Sequence, residues 1–214
     1  MPPDLTPLEA RLLACLIEKQ ATTPDQYPLT LNALVNACNQ KSNREPVMNL
    51  TEGEVQRTLD GLLHRHLVIE KGGAGSRVPK YHQRVCGGDY SWLSLNPQQA
   101  AVMCELMLRG PQTPGELRAR VGRLAEFTDI AQVEATLESL IHRAEKPLVV
   151  HLPREPGRRE ARFAQLLCGP VEVTAATDHE PAGAAHPLDD ERIARLEEEV
   201  RQLRAEVDEL KRRA

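Results

Sequence analysis

The chain has 214 residues, 41% of them hydrophobic but only 3% aromatic, and a formal net charge of −4. That length suits one or two small domains plus a tail, with cores drawn from Leu, Val, Ile and Ala. The charge argues against a uniformly basic nucleic-acid binder, and nowhere do about 18 consecutive apolar residues mark a membrane span. The charge is also unevenly placed: +1 over residues 1–86, −1 over 87–172 and −4 over 173–214. Met1-Pro2-Pro3-Asp4 lacks the charged and apolar regions of a signal peptide. Cys15, Cys38, Cys86, Cys104 and Cys168 form no C-x-x-C pair and are odd in number, as buried thiols of a reducing compartment would be. A soluble, cytoplasmic protein is expected.

The first helix opens at Thr6-Pro7-Leu8-Glu9, where a capping Thr, a Pro at the first helical position and a Glu three residues after the cap satisfy the orphan N–H groups. It runs to about residue 20 with Leu12, Leu13, Leu16 and Ile17 on one stripe. Leu31, Leu34, Val35 and Cys38 form a second stripe, and Val55, Leu59, Leu62 and Leu63 a third, behind a capping box at Thr51-Glu52-Gly53-Glu54. Leu67-Val68-Ile69 then reads as a buried strand leading to a turn at Gly72-Gly73-Ala74-Gly75. The same order recurs. Asn96-Pro97, Thr113-Pro114 and Asp129-Ile130 start three helices, Val133, Leu137, Leu140 and Ile141 repeat the third stripe, and Leu148-Val149-Val150 leads to a turn at Glu155-Pro156-Gly157. Residues 54–65 and 132–143 align without a gap.

A helix followed by a two-stranded basic hairpin is the distal half of a winged-helix module. The expected fold is therefore α+β and mainly helical, with winged-helix domains at 1–88 and 89–172. The first helices are offset by 90 residues and the third by 78, so the first copy holds twelve extra residues. Landmark spacing puts them in the loops Gln20–Leu29 and Asn39–Leu50, where function is commonly added. Residues 173–188 lack periodicity and read as a flexible linker. Residues 189–214 carry a heptad with Ile193, Val200 and Val207 at a and Leu196, Leu203 and Leu210 at d, the choice that favours a parallel dimer. Arg192 to Glu197, Glu199 to Arg204 and Glu206 to Lys211 would be attractive across that dimer. A lone helix packing on its own protein is the alternative.

Chemistry-bearing motifs are few. Gly72-Gly73-Ala74-Gly75-Ser76 lacks the Gly-Lys-Ser/Thr of a phosphate loop and opens no helix. His64, His66, His82 and Cys86 form the only plausible metal cluster, but no pair has finger spacing, and solvated helix-end histidines explain them better. No catalytic signature stands out, so no enzyme, metal or cofactor is expected. The first hairpin carries Lys71, Arg77, Lys80 and Arg84 with no acid between 71 and 84, and the preceding loop adds Lys41, Asn43 and Arg44. Neutralisation of about six phosphates by these groups would give a log–log salt slope of roughly −5 per monomer. The third helices, which enter the major groove in this module, are acidic instead: net −1 for residues 51–66 and −3 for 128–145. Ordinary solvated hairpins are the bland alternative.

At Leu5-Thr6-Pro7-Leu8-Glu9-Ala10-Arg11, over residues 23–34 and over residues 37–46, the chain resembles the YceH-like family of bacterial proteins. The resemblance covers about residues 4–168, is most distinctive from Thr23 to Pro46, and implies a tandem winged-helix fold in a bacterial cytosol. It supplies no substrate. The expectation is a dimeric, non-enzymatic DNA-binding protein with a role in transcriptional regulation. In it Lys41, Asn43 and Arg44 position the first domain, Gln56 and Arg57 reach bases, and Lys71, Arg77, Lys80 and Arg84 hold the phosphates of double-stranded DNA. The rival is a scaffold that binds a protein partner.

Overall fold

A computed structural model describes residues 4–72, 78–88, 91–154, 157 and 160–171. The fold mixes helices with small antiparallel sheets. Helices α1 (Pro7–Thr22), α2 (Leu31–Cys38) and α3 (Glu52–His64) precede strands β1 (Val68–Lys71) and β2 (Lys80–Gln83). Helices α4 (Pro97–Arg109), α5 (Pro114–Val121) and α6 (Ile130–Ile141) then precede β3 (Val149–His151) and β4 (Phe163–Gln165). Contacts divide the chain at 173/174, and all described residues fall in the first unit. The heptad residues Ile193, Leu196, Val200, Leu203, Val207 and Leu210 lie outside the described residues.

The helix starts follow from their caps. Thr6, Thr51, Asn96 and Thr113 each accept from the backbone N–H three residues on, and Glu9, Glu54, Gln99 and Glu116 reach back to the cap N–H. At α6 the expected box is shifted. Asp129 accepts from Gln132 N–H at 2.8 Å, but the Gln132 side chain accepts from the backbone of Thr128, one residue before the cap, also at 2.8 Å. The extended backbone at Asp129 brings the Thr128 N–H within reach instead.

Each repeat is closed by the same set of bonds. Leu29, just before the α2 cap, exchanges backbone hydrogen bonds with Tyr81 at 3.2 and 2.7 Å; Gln112, just before the α5 cap, does so with Phe163 at 3.0 and 2.8 Å. The Gln83 side-chain oxygen accepts from Val85 and Cys86 N–H at 2.7 and 3.0 Å, and that of Gln165 accepts from Leu167 and Cys168 N–H at 2.6 and 3.2 Å. These glutamines satisfy backbone donors where each hairpin rejoins the core, which removes the penalty for leaving them unpaired.

The repeats share one continuous core. The stripe expected on α1 is only part of what it buries: every residue from Ala10 to Glu18 is buried, as is every residue from Ala101 to Leu108 on α4. The reason is that α1 and α4 pack on each other as well as on their own repeats. Cys104 Sγ donates to the Ala14 carbonyl at 3.3 Å, and the 90-residue offset makes those two positions equivalent. Such self-equivalent contact is how a two-fold interface is built. Fully buried leucines such as Leu12, Leu16, Leu106 and Leu108 each contribute about 2 kcal/mol there.

Candidate nucleic-acid interface

The first hairpin is rooted in the core at one end and sets exposed lysines at the other. In its register Val68 faces Gln83, Ile69 faces His82, Glu70 faces Tyr81 and Lys71 faces Lys80. At the root, Gln83 donates its amide N–H to Gln20 at 2.8 Å and to the Cys86 carbonyl at 2.7 Å, while its backbone N–H donates to the Tyr27 hydroxyl at 2.9 Å. Tyr81 is buried and exchanges backbone hydrogen bonds with Leu29, while β1 packs on α3. Burial, with Glu70 and Asp60 nearby, raises the Tyr81 pKa. Burial also lowers the His82 pKa, with Lys71 adding to it, so the imidazole is neutral at pH 7. At the free end Lys71 and Lys80 are both exposed and directly opposed. Like charges so placed destabilise a strand pair by about 0.2–1 kcal/mol, and an anion between them would reverse the sign.

The remaining predicted contacts divide. Lys41 and Arg57 are exposed. Asn43 is exposed with φ of 57°, and its side-chain oxygen accepts from Arg109 of α4 at 3.2 Å, which ties its loop to the junction between the repeats. Gln56 is half-buried and donates to Asp60 at 2.7 Å. Arg84 is half-exposed, its backbone N–H donating to Leu67 and its carbonyl accepting from Trp92. Arg77 lies outside the described residues.

Arg44 is a correction. It does not stand on the surface as a phosphate contact: its side chain is 0% exposed and bonds both oxygens of Glu18 on α1, at 3.1 and 2.5 Å, plus the Ala37 carbonyl and Gln40. Glu18 in turn meets Arg123 at 2.5 Å, and Arg123 meets Glu105 of α4 at 2.5 Å. Burial pushes the Glu18 carboxyl up, but Arg44 and Arg123 outweigh burial and hold it below the ordinary range. The loop is strapped down further along. Asn39 bonds the Leu50 carbonyl and N–H at 2.8 and 2.7 Å, and Glu45 N–H donates to the Leu108 carbonyl at 2.9 Å. The Asn39–Leu50 loop is therefore tied to the junction through Asn39, Arg44 and Glu45, while Lys41 and Asn43 stay exposed.

Sequence reasoning also missed Trp92, 46% exposed beside the root of the hairpin, with its indole N–H donating to the His66 carbonyl at 3.3 Å. A lone Trp before a capping Asn gave no periodic signal. Around the second hairpin several described basic residues are paired, while Arg154 is exposed. Arg162 bonds the Pro111 carbonyl at 2.9 Å and Glu116 at 3.5 Å, Lys146 meets Asp4 at 3.6 Å, and Arg143 meets Glu145 at 3.4 Å. Among the described residues no three His, Cys, Asp or Glu are placed to hold a metal ion, and no helix is long and apolar enough to cross a membrane. His82 instead tilts against the Tyr27 ring at 5.1 Å.

The family model described as protein of unknown function, DUF480, matches residues 5–158. A UPF0502 protein of Shewanella amazonensis is 56% identical over 96% of this chain and 97% of its own length. The UPF0502 protein YceH of Escherichia fergusonii is 51% identical over 97% of this chain and 96% of its own, and a UPF0502 protein of Vibrio vulnificus is 51% identical over the same shares.

Proposed function

Starting from the fact that this chain belongs to the DUF480, or UPF0502, family of YceH-like proteins, we propose that it is a non-enzymatic DNA-binding protein of two winged-helix units, with the first unit making the contact. The observation that carries this reading is the exposed Lys71–Lys80 pair on a hairpin that is hydrogen-bonded to α1 and packs on α3. A rigid mount with two opposed ammonium groups suits a phosphate backbone. Lys41, Arg57, Arg77 and Arg84 complete a basic set, and removing Arg44 from it leaves about five neutralised phosphates across Lys41, Lys71, Arg77, Lys80 and Arg84. The expected log–log salt slope is therefore about −4.5 per monomer. Gln56 and Arg57 are the side chains of α3 assigned to bases, and transcriptional regulation is the role such a contact serves.

The heptad at Ile193, Leu196, Val200, Leu203, Val207 and Leu210 pairs two copies as a parallel coiled coil in this reading. Deleting residues 189–214 should halve the mass in solution; an unchanged mass refutes the zipper. The salt titration itself tests DNA binding: no binding to duplex at low salt refutes it. One observation favours the rival, a protein scaffold. The exposed face of α6 carries Glu134 and Glu138 with Ile130 44% exposed, which suits a protein partner and repels a phosphate backbone. The two readings place their partners on different repeats.

A further inference from the structure

The two sides of the first hairpin are chemically unlike. Strand alternation sends Val68, Glu70, Tyr81 and Gln83 to one side and Ile69, Lys71, Lys80 and His82 to the other. Val68, Tyr81 and Gln83 are buried, so theirs is the side that packs on the core and the lysines stand on the outer one. Just past β2, Arg84 joins the outer side: with Lys71, His82, Gly87, Gly88 and Ser91 it lines an open hollow of about 190 Å³. A pocket for a whole small molecule measures roughly 300–1,000 Å³, so this hollow suits one group of a longer ligand. From Lys80 to Arg84 the row covers about 13 Å, at about 3.3 Å per residue.

Trp92 stands at the root end of this row. Its backbone N–H donates to the Arg84 carbonyl at 3.0 Å and its indole N–H to the His66 carbonyl at 3.3 Å, while the residue stays 46% exposed. It is thus an aromatic fixed at two points with much of its surface in solvent, and it is the single Trp of the chain. The second repeat supplies the comparison. Tyr81 and Phe163, Gln83 and Gln165, and Cys86 and Cys168 correspond at an offset of 82. The same offset sets Ala164 against His82 and Leu166 against Arg84, and Arg162, the counterpart of Lys80, is paired with Glu116. The row is therefore not repeated at the matching positions.

Resting on the reading that Lys71 and Lys80 hold a nucleic-acid backbone, we infer that this outer face takes a single strand, its phosphates along Lys71, Lys80 and Arg84 and one unpaired base stacked on Trp92. A cationic track beside an exposed aromatic is the combination that single-strand binders use, since every base has a π-face and every nucleotide a phosphate charge. A duplex offers the same phosphates but keeps its bases stacked on one another. The contact also needs no insertion of α3 into a groove, so the net −1 of residues 51–66 does not oppose it.

Because the chain has one Trp, its emission reports on this position directly. The full chain is titrated at low salt with an oligothymidylate, an abasic strand of the same length and a duplex. The oligothymidylate should quench the emission strongly and bind Trp92→Ala about ten-fold more weakly than wild type. The abasic strand and the duplex should quench it far less and bind both proteins alike. If Trp92→Ala does not fold, the wild-type contrast between the oligothymidylate and the abasic strand decides alone. Equal quenching by those two strands, or equal affinity of wild type and Trp92→Ala for the oligothymidylate, overturns the inference and leaves the duplex reading standing. Failure of all three to bind overturns both.

Discussion

The first hairpin sets Lys71 against Lys80 at its exposed end, whereas around the second hairpin Arg162 and Lys146 are taken up by Glu116 and Asp4. Both hairpins are basic in composition, so composition alone does not separate them. Among the described residues, Arg162 and Lys146 of the second have an acid within reach, whereas Arg154 is exposed as Lys71 and Lys80 are. The loops ahead of the third helices differ in the opposite sense. The longer loop of the first repeat looks like an outward polar arm and is in fact held at both ends, with Arg44 driven into the core against Glu18. A basic side chain is available to a ligand only when its own protein has not already neutralised it.

The contrast is broken most severely at Arg44. Arg44→Ala leaves Glu18 buried without its principal partner and should cost about 3–5 kcal/mol of folding stability, read by chemical denaturation. A loss under about 1 kcal/mol would mean that the loop is a free arm after all. A pH series sharpens the same point. Because the folded-state pKa of Glu18 is lowered, its stabilisation is complete above about pH 4.3, the ordinary glutamate value, and is lost as pH falls through the lower folded value. Glu18→Gln should remove that portion of the acid-induced loss of stability; an unaltered profile assigns it elsewhere. The smallest effect compares caps. Thr51→Ala and Thr113→Ala each remove a capping box and should each cost about 1 kcal/mol, with equal losses expected if the repeats unfold together.

The repeat, the helix starts and the hairpins were legible because each rests on local chemistry: a cap, a Pro, a stripe at helical spacing. Thr6, Thr51, Asn96 and Thr113 act as their sequences indicate. The junction was not legible. Arg11 and Glu18 lie off the expected stripe of α1, and they are buried by the loop of their own repeat as well as by the second repeat. Arg44 was misread because its partner Glu18 is 26 residues away, on α1, while Arg44 lies in a loop. In the candidate site, Lys71 and Lys80 were identifiable as basic hairpin residues, but their opposition depends on strand register.

The central claim is that the working charge lies on the first hairpin. Titration of one DNA duplex across a salt series, with wild type, Lys71→Ala/Lys80→Ala and Lys146→Ala/Arg162→Ala in parallel, tests it most directly. The account predicts that the first double variant binds more weakly with a slope shallower by about two, while the second matches wild type. Equal weakening by both variants, or a wild-type slope near zero, would contradict it.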